Sequence, residues 1–207
     1  MLKYLLAACV LLSGCNGVPT AFIKDNPAYD EAFVVHSGGP LPLLLMGSAV
    51  QWNEDYAVTV KHVPYLDGAV YQGRGDVQFF KHKASMPLPV WRQYSTGETL
   101  TAVGFSSLYV PVKGQGHALA ALVRLDAQDG VFYATHDGPT AKGMSGGPVF
   151  GDDGDVVGIN VAYLTESDLA QLKRQDLAHQ PRVSIFMPYN EIAKEWRRFQ
   201  ASQVAQR

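Results

Sequence analysis

Along the middle of the chain, apolar and polar residues alternate in short runs broken by turn residues, the signature of half-buried strands. "PLLLMGSAVQW" and "YAVTVKH" flank Asn53-Glu54-Asp55, a hairpin-type connection. "GAVYQG", "DVQFFKHK", "ETLTAVGF", "ALAALVRLDA", "GVFYATH", "GPVFGD" and "DVVGINVAY" follow at similar spacing. Many short strands so spaced predict an all-β sandwich or barrel, and the lack of a strand–helix alternation argues against a parallel α/β sheet. Two helices interrupt the pattern late. Residues 166–178 start with a capping box, Thr165 as N-cap and Asp168 three positions on. Residues 190–205 put Ile192, Trp196 and Phe199 on one face, with Lys194, Glu195, Arg197 and Arg198 off it. That last helix reads as a stave docked on the β core, with membrane binding the minor alternative.

The N-terminus departs from this pattern. Residues 1–14 join a single Lys3 to an apolar run from Tyr4 to Leu12, too short to span a bilayer and ending in small residues, as export signals do. The ending Leu12-Ser13-Gly14-Cys15 resembles the bacterial lipobox. That resemblance implies a signal peptide over 1–14 and Cys15 as a lipidated, palmitate-bearing first residue, a membrane anchor for a protein of the bacterial cell envelope. Asn16 in place of an aspartate implies sorting to the outer membrane, facing the periplasm. A plain signal peptide cut elsewhere is the alternative. Residues 15–39, punctuated by Pro19, Asn26-Pro27 and Gly38-Gly39-Pro40, read as a tether and lead-in strand.

Composition adds limits. The 207 residues are 47% hydrophobic and 17% charged, a folded globular balance with room for one ordinary domain. The net charge of −2 and the lack of a basic run give no reason to expect nucleic acid as a partner. Cys9 and Cys15 are the only cysteines, and the signal peptide takes one and lipid the other, so no intramolecular disulfide is expected.

The chemistry gathers in three blocks. "AVTVKHV" ends an apolar strand on His62, "GDVQFFK" opens the next on Asp76, and "KGMSGGPV" sets Ser145 among glycines. Val58-Thr59-Val60-Lys61-His62, Asp76-Val77-Gln78-Phe79-Phe80-Lys81 and Gly143-Met144-Ser145-Gly146-Gly147 resemble the histidine, acid and serine blocks of the trypsin-like, chymotrypsin-fold serine peptidases, especially their bacterial periplasmic branch. The likeness runs on into "GDVVGINVAY" and covers about residues 44–190.

The resemblance implies two packed six-stranded antiparallel β-barrels over 40–188, followed by a C-terminal helix over 189–207. It implies a serine endopeptidase acting on protein or peptide substrates with no cofactor. His62 would be the general base, Asp76 its orienting acid, Ser145 the nucleophile, and the N–H groups of Gly143 and Ser145 the oxyanion hole. Pro139, Thr140 and Ala141 would lie near the floor of the substrate pocket and Val161, Ala162 and Tyr163 along its edge. With no charge among them, an uncharged side chain is expected before the cut bond.

Several features leave choices open. Only 14 positions separate His62 from Asp76, fewer than is usual for the family, so Asp67 is a rival acid, although Asp67-Gly68 reads more simply as a turn. Asp137 is as readily a turn residue as a selector for basic substrates. The trimmed link also leaves room for a non-catalytic relative that keeps the fold and binds an envelope partner. Met144 stands where trypsin has an acid that pairs with a new N-terminus, so activation by that switch is not expected. His36, His82, His117, His136 and His179 show no metal-ligand spacing and read as surface or core-edge residues, and no metal site is expected.

Overall fold

A computed structural model describes residues 17–22, 27–40, 42–126 and 128–205. The expectations for the signal peptide, Cys15 and Asn16 lie outside them. The chain folds as β1 (Thr20–Ala21), β2 (Ala32–His36), β3 (Met46–Gln51), β4 (Tyr56–Thr59), β5 (Ala69–Gln72), β6 (Gln78–Lys81), β7 (Thr99–Phe105), β8 (Pro111–Val123), β9 (Tyr133–His136), β10 (Pro148–Phe150), β11 (Val156–Thr165) and β12 (Arg182–Pro188). Helix α1 (Glu166–Gln171) interrupts the last two strands, and α2 (Tyr189–Ala205) ends the fold.

The strands form two antiparallel layers. The first has the order β2-β3-β4-β6-β5. The second runs β8-β7-β10-β11-β12-β9, and β9 pairs back onto β8 to close a six-stranded barrel, with β1 added outside β8. Sequence reading expects six strands in each half; the described residues supply five in the first, with no pairing between its ends. The cause is the short stretch between His62 and Asp76. It carries only the four-residue β5, half exposed and bulged against β6 between Ala69 and Tyr71.

The hairpin at 53–55 forms as its residues predict. The Asn53 side-chain oxygen accepts from the N–H groups of Asp55 (3.0 Å) and Tyr56 (3.1 Å), and Trp52 N–H donates to the Tyr56 carbonyl (2.9 Å). Ala49, Ala57, Val58 and Phe79 are buried in a core that the first half shares with barrel residues such as Phe150 and Ile185, and Leu100, Ala134, Val157 and Phe186 form a second core within the barrel.

Helix α1 has the expected capping box: Thr165 N–H donates to Asp168 Oδ2 (2.8 Å) while Thr165 Oγ1 accepts from Asp168 N–H (3.4 Å). It stops at Gln171 rather than 178. Lys173 turns left-handed (φ 54°), and a 3₁₀ turn over Gln175–Leu177 follows, which buries Leu177 as well as Leu169. Helix α2 returns from the barrel to the first half. Ile192 and Phe199 are buried, and Trp196 lies 5.0 Å from Phe79 and 5.2 Å from Tyr56, ring centre to ring centre. Glu195 departs from expectation: it is 2% exposed, on the docked side of the helix and not off it. Among the described residues no helix is long and apolar enough to cross a membrane.

Candidate active site

His62 sits in the turn after β4, held by buried neighbours. Val60 and Val63 are in the core, and Gln78 Nε2, also fully buried, donates to both their carbonyls (2.8 and 2.9 Å). This braces the turn and leaves the imidazole half exposed at 50%. Asp76 grips it twice. Its Oδ2 lies 2.6 Å from His62 Nδ1, and its Oδ1 accepts the His62 backbone N–H at 3.1 Å. A carboxylate so close to Nδ1 requires the proton on that nitrogen, which leaves Nε2 as the basic atom. The Asp76 N–H itself donates to the Tyr133 hydroxyl (2.8 Å), which comes from β9 in the other half. Tyr133 is buried, and burial raises its hydroxyl pKa well above the ordinary value, so it stays neutral. Asp76 is therefore the acid beside the imidazole; Asp67 is exposed, with no bond to His62 among the described residues.

Ser145 lies in the loop between β9 and β10. The glycines around it are needed for space and backbone shape. Gly143 and Gly146 have φ of 95° and 86°, in the left-handed region. A Cβ on Gly146 would fall 2.1 Å from both the Ser48 carbonyl and Thr59 Oγ1, and one on Gly143 would fall 2.5 Å from the Phe105 carbonyl.

Ser48, buried in β3, ties this loop to the first half. Its N–H donates to the Ser145 carbonyl (2.8 Å), and its hydroxyl accepts Phe105 N–H (2.9 Å) and donates to the Gly143 carbonyl (2.8 Å). Gly146 N–H donates to the Asn160 carbonyl (2.7 Å). The N–H groups of Gly143 and Ser145 have no acceptor among the described residues. Met144 is fully buried with Ala102 and Val112, a core residue rather than one available for ion pairing.

Ser145 and His62 line one cavity of about 240 Å³. The Ser145 hydroxyl donates to the Val161 carbonyl (3.1 Å), and among the described residues no hydrogen bond joins it to His62. Thr140, Ala141 and Lys142 form one wall, and Asn160, Val161, Ala162 and Tyr163 the other. Pro139 is elsewhere. It lines a separate depression with Gly17, Lys113 and His117, because its carbonyl and ring pack against Gly114 of β8, and Thr140 takes the position expected of it. The walls are not wholly uncharged. Lys142 lines the rim, and the Arg182 guanidinium lies 3.6 Å over the Tyr163 ring and donates to the Thr140 carbonyl. Burial lowers the Arg182 pKa.

Asp137 accepts His117 N–H (2.6 Å) and stands outside the cavity. His136 is wholly buried rather than at a surface or core edge. Neither ring nitrogen has a partner among the described residues, and burial lowers its pKa to about 4. No group of three or more His, Cys, Asp or Glu side chains among the described residues could hold a metal ion. Sequence reading missed Tyr133, Ser48 and Arg182. Ser48 alone left a trace, as a polar residue inside an apolar strand run.

Comparison with known proteins bears on the family and the fold. The trypsin-like peptidase domain model matches residues 53–159. Among curated proteins no sequence relative is found. Among solved structures, the chain is similar to Rv3671c from M. tuberculosis H37Rv in a serine-to-alanine mutant, inactive form, with a TM-score of 0.66, 16% identity, and cover of 90% of this chain and 98% of that one. It is similar to an HtrA-type protease, AlgW, with a tripeptide (TM-score 0.64, 18% identity, 79% of this chain and 58% of that one). It is also similar to the serine endoprotease from Yersinia pestis (TM-score 0.61, 17% identity, 87% of this chain and 68% of that one). At such identities these likenesses concern the fold, which is chymotrypsin-like. The domain match spans more than half of the sequence, and on it the chain belongs to the trypsin-like peptidase family, as a serine endopeptidase.

Proposed function

We propose that His62, Asp76 and Ser145 form the catalytic triad of an endopeptidase anchored by lipid to the bacterial envelope. The observation that carries this is the 2.6 Å His62–Asp76 pair, whose imidazole lines the same cavity as Ser145. With Nδ1–H held by Asp76, Nε2 of His62 takes the Ser145 proton as Oγ attacks the substrate carbonyl. The charge that builds on the substrate oxygen meets the N–H groups of Gly143 and Ser145, which have no acceptor of their own among the described residues. His62 then gives the proton to the leaving amine, and the acyl group stays on Ser145 Oγ. Water, deprotonated by His62, attacks the ester and releases the acid, and the proton returns to Oγ. Before the first step Oγ must leave the Val161 carbonyl, a side-chain rotation of the kind that substrate binding drives in peptidases whose resting hydrogen bonds are loose.

Val161, Ala162 and Tyr163 edge the pocket opposite Thr140. The nearby cations Lys142 and Arg182 disfavour a basic side chain before the cut bond, and an uncharged one suits the walls. Cys15 carries the lipid, and the outer membrane facing the periplasm is the site of action. Labelling with palmitate that is lost in Cys15→Ala tests the anchor.

Reaction with a fluorophosphonate probe tests the chemistry. The purified protein should label at neutral pH and Ser145→Ala should not. The bond from Ser145 Oγ to the Val161 carbonyl favours a second reading, a catalytically inactive relative that binds an envelope partner. Lack of labelling in the folded wild-type protein would decide for it.

A further inference from the structure

The C-terminal helix reaches the acid's loop with a single buried carboxylate. Glu195 Oε2 accepts the Arg74 backbone N–H at 3.0 Å and the Tyr71 hydroxyl at 3.1 Å, while Oε1 pairs with Arg198 on the next turn. Arg74 lies two positions before Asp76, and 121 positions separate it from Glu195 in the chain. Gly73 is pressed so closely on the carboxylate that a Cβ there would fall 2.9 Å from Oε2. From the other side Lys61 Nζ donates to the Gly73 carbonyl at 2.8 Å, and Tyr133 holds the Asp76 N–H. The turn that delivers Asp76 is thus pinned at Gly73, Arg74 and Asp76 from three different elements.

A buried carboxylate is costly, and an apolar side chain would dock a helix at least as well. What Glu195 adds is a directed bond to the backbone just before the acid. We infer that Glu195 is a positioning residue for the triad, acting through the 73–76 turn to hold Asp76 against His62. This rests on the triad proposed above, and it accounts for how so short a link between the histidine and the acid delivers the acid in register. In a site where a displacement of about 1 Å costs roughly 100-fold in rate, a loosened Asp76 would be felt in turnover rather than in substrate binding.

The test compares wild type with Glu195→Ala, Glu195→Gln and, as a control on the exposed side of the same helix, Lys194→Ala. Two readouts are taken at a temperature where every variant is folded by circular dichroism: kcat and KM on a peptide substrate, and the NMR chemical shift of the His62 Nδ1 proton. We expect kcat to fall roughly 10- to 100-fold in Glu195→Ala with KM within about 2-fold, and less in Glu195→Gln, which keeps one acceptor. We expect the His62 Nδ1 proton resonance, held downfield by the short bond to Asp76, to move upfield in the same order, because a loosened carboxylate bonds that proton less tightly. Lys194→Ala should leave both unchanged. Unchanged kcat and an unchanged His62 Nδ1 proton resonance in Glu195→Ala, with only the melting temperature lowered, would reduce Glu195 to a fold-stabilising contact. Should Glu195→Ala fail to fold, Glu195→Gln decides by the same two readouts. If the wild type itself hydrolyses nothing, the proposed triad fails, while the His62 Nδ1 proton resonance still reads whether Glu195 holds Asp76 in place.

Discussion

The two halves of the molecule present the proposed catalytic groups in opposite ways. The first half, an open five-stranded sheet, delivers His62 and Asp76 already joined, ring to carboxylate at 2.6 Å and backbone to carboxylate at 3.1 Å. The closed barrel delivers Ser145 on a loop with two left-handed glycines, its hydroxyl turned to the Val161 carbonyl. The acid and base can be assembled in advance because no substrate atom passes between them. The serine faces the space where substrate lies, so its backbone is fixed while its side chain keeps a rotamer to change. Side-chain hydrogen bonding sets one half of the site, and space around the backbone sets the other.

The largest effect should come from breaking the assembled pair. Asp76→Asn can present an amide N–H where His62 needs an acceptor, which favours the wrong tautomer, and kcat should fall about 10⁴-fold with the fold kept. Steady-state kinetics beside circular dichroism checks it. On the serine side the equivalent injury is steric. Gly146→Ala would drive a Cβ into the Ser48 carbonyl and Thr59 Oγ1 at an unfavourable φ, and we expect a loss of roughly 2–5 kcal/mol in urea unfolding.

Ser48→Ala is milder. It strands the Phe105 N–H and releases the Gly143 carbonyl, with an expected stability loss of roughly 1–3 kcal/mol. Its kcat should fall about 10-fold, because the loop that carries Ser145 loses a tie to the first half.

The smallest effect is one of pH on stability. Burial, with Asp155 adding to it, raises the Glu31 pKa from 4.5 to about 7. The folded chain thus holds this proton more tightly than the unfolded chain. The associated stability is present below pH 4.5 and is lost as pH rises towards 7. Glu31→Gln should gain on wild type across that window, by about 1 kcal/mol once screening of this half-exposed group is allowed for. Melting curves at pH 4.5 and pH 7.5 measure it. His136 pulls the other way: its lowered pKa makes its contribution full above pH 6.5 and lost as pH falls towards 4.

Much of this was legible in the sequence because it is local. Alternation along each strand gave the β architecture, and the three motif blocks gave His62, Asp76 and Ser145 without any knowledge of their spatial meeting. What escaped depends on partners far along the chain. Tyr133 is 57 positions from Asp76, and Ser48 is 95 from Gly143, so nothing nearby in sequence marks either bond. Glu195 was misread for a related reason. A charged residue in an amphipathic helix is assigned to solvent unless its partners are known, and those are the Tyr71 hydroxyl and the Arg74 backbone N–H, far away along the chain. Of residues 139–141, expected near the pocket floor, Thr140 and Ala141 line the cavity and Pro139 alone lies outside it, a single step along a turn being enough to exchange inside for outside.

The bond from Asp76 N–H to Tyr133 carries a consequence for biogenesis. The acid's own backbone hangs from the opposite half, so neither half can complete the cutting machinery before the seam has closed. On the proposed chemistry, a chain still assembling cannot digest its siblings, and hydrolysis begins only when both halves have docked.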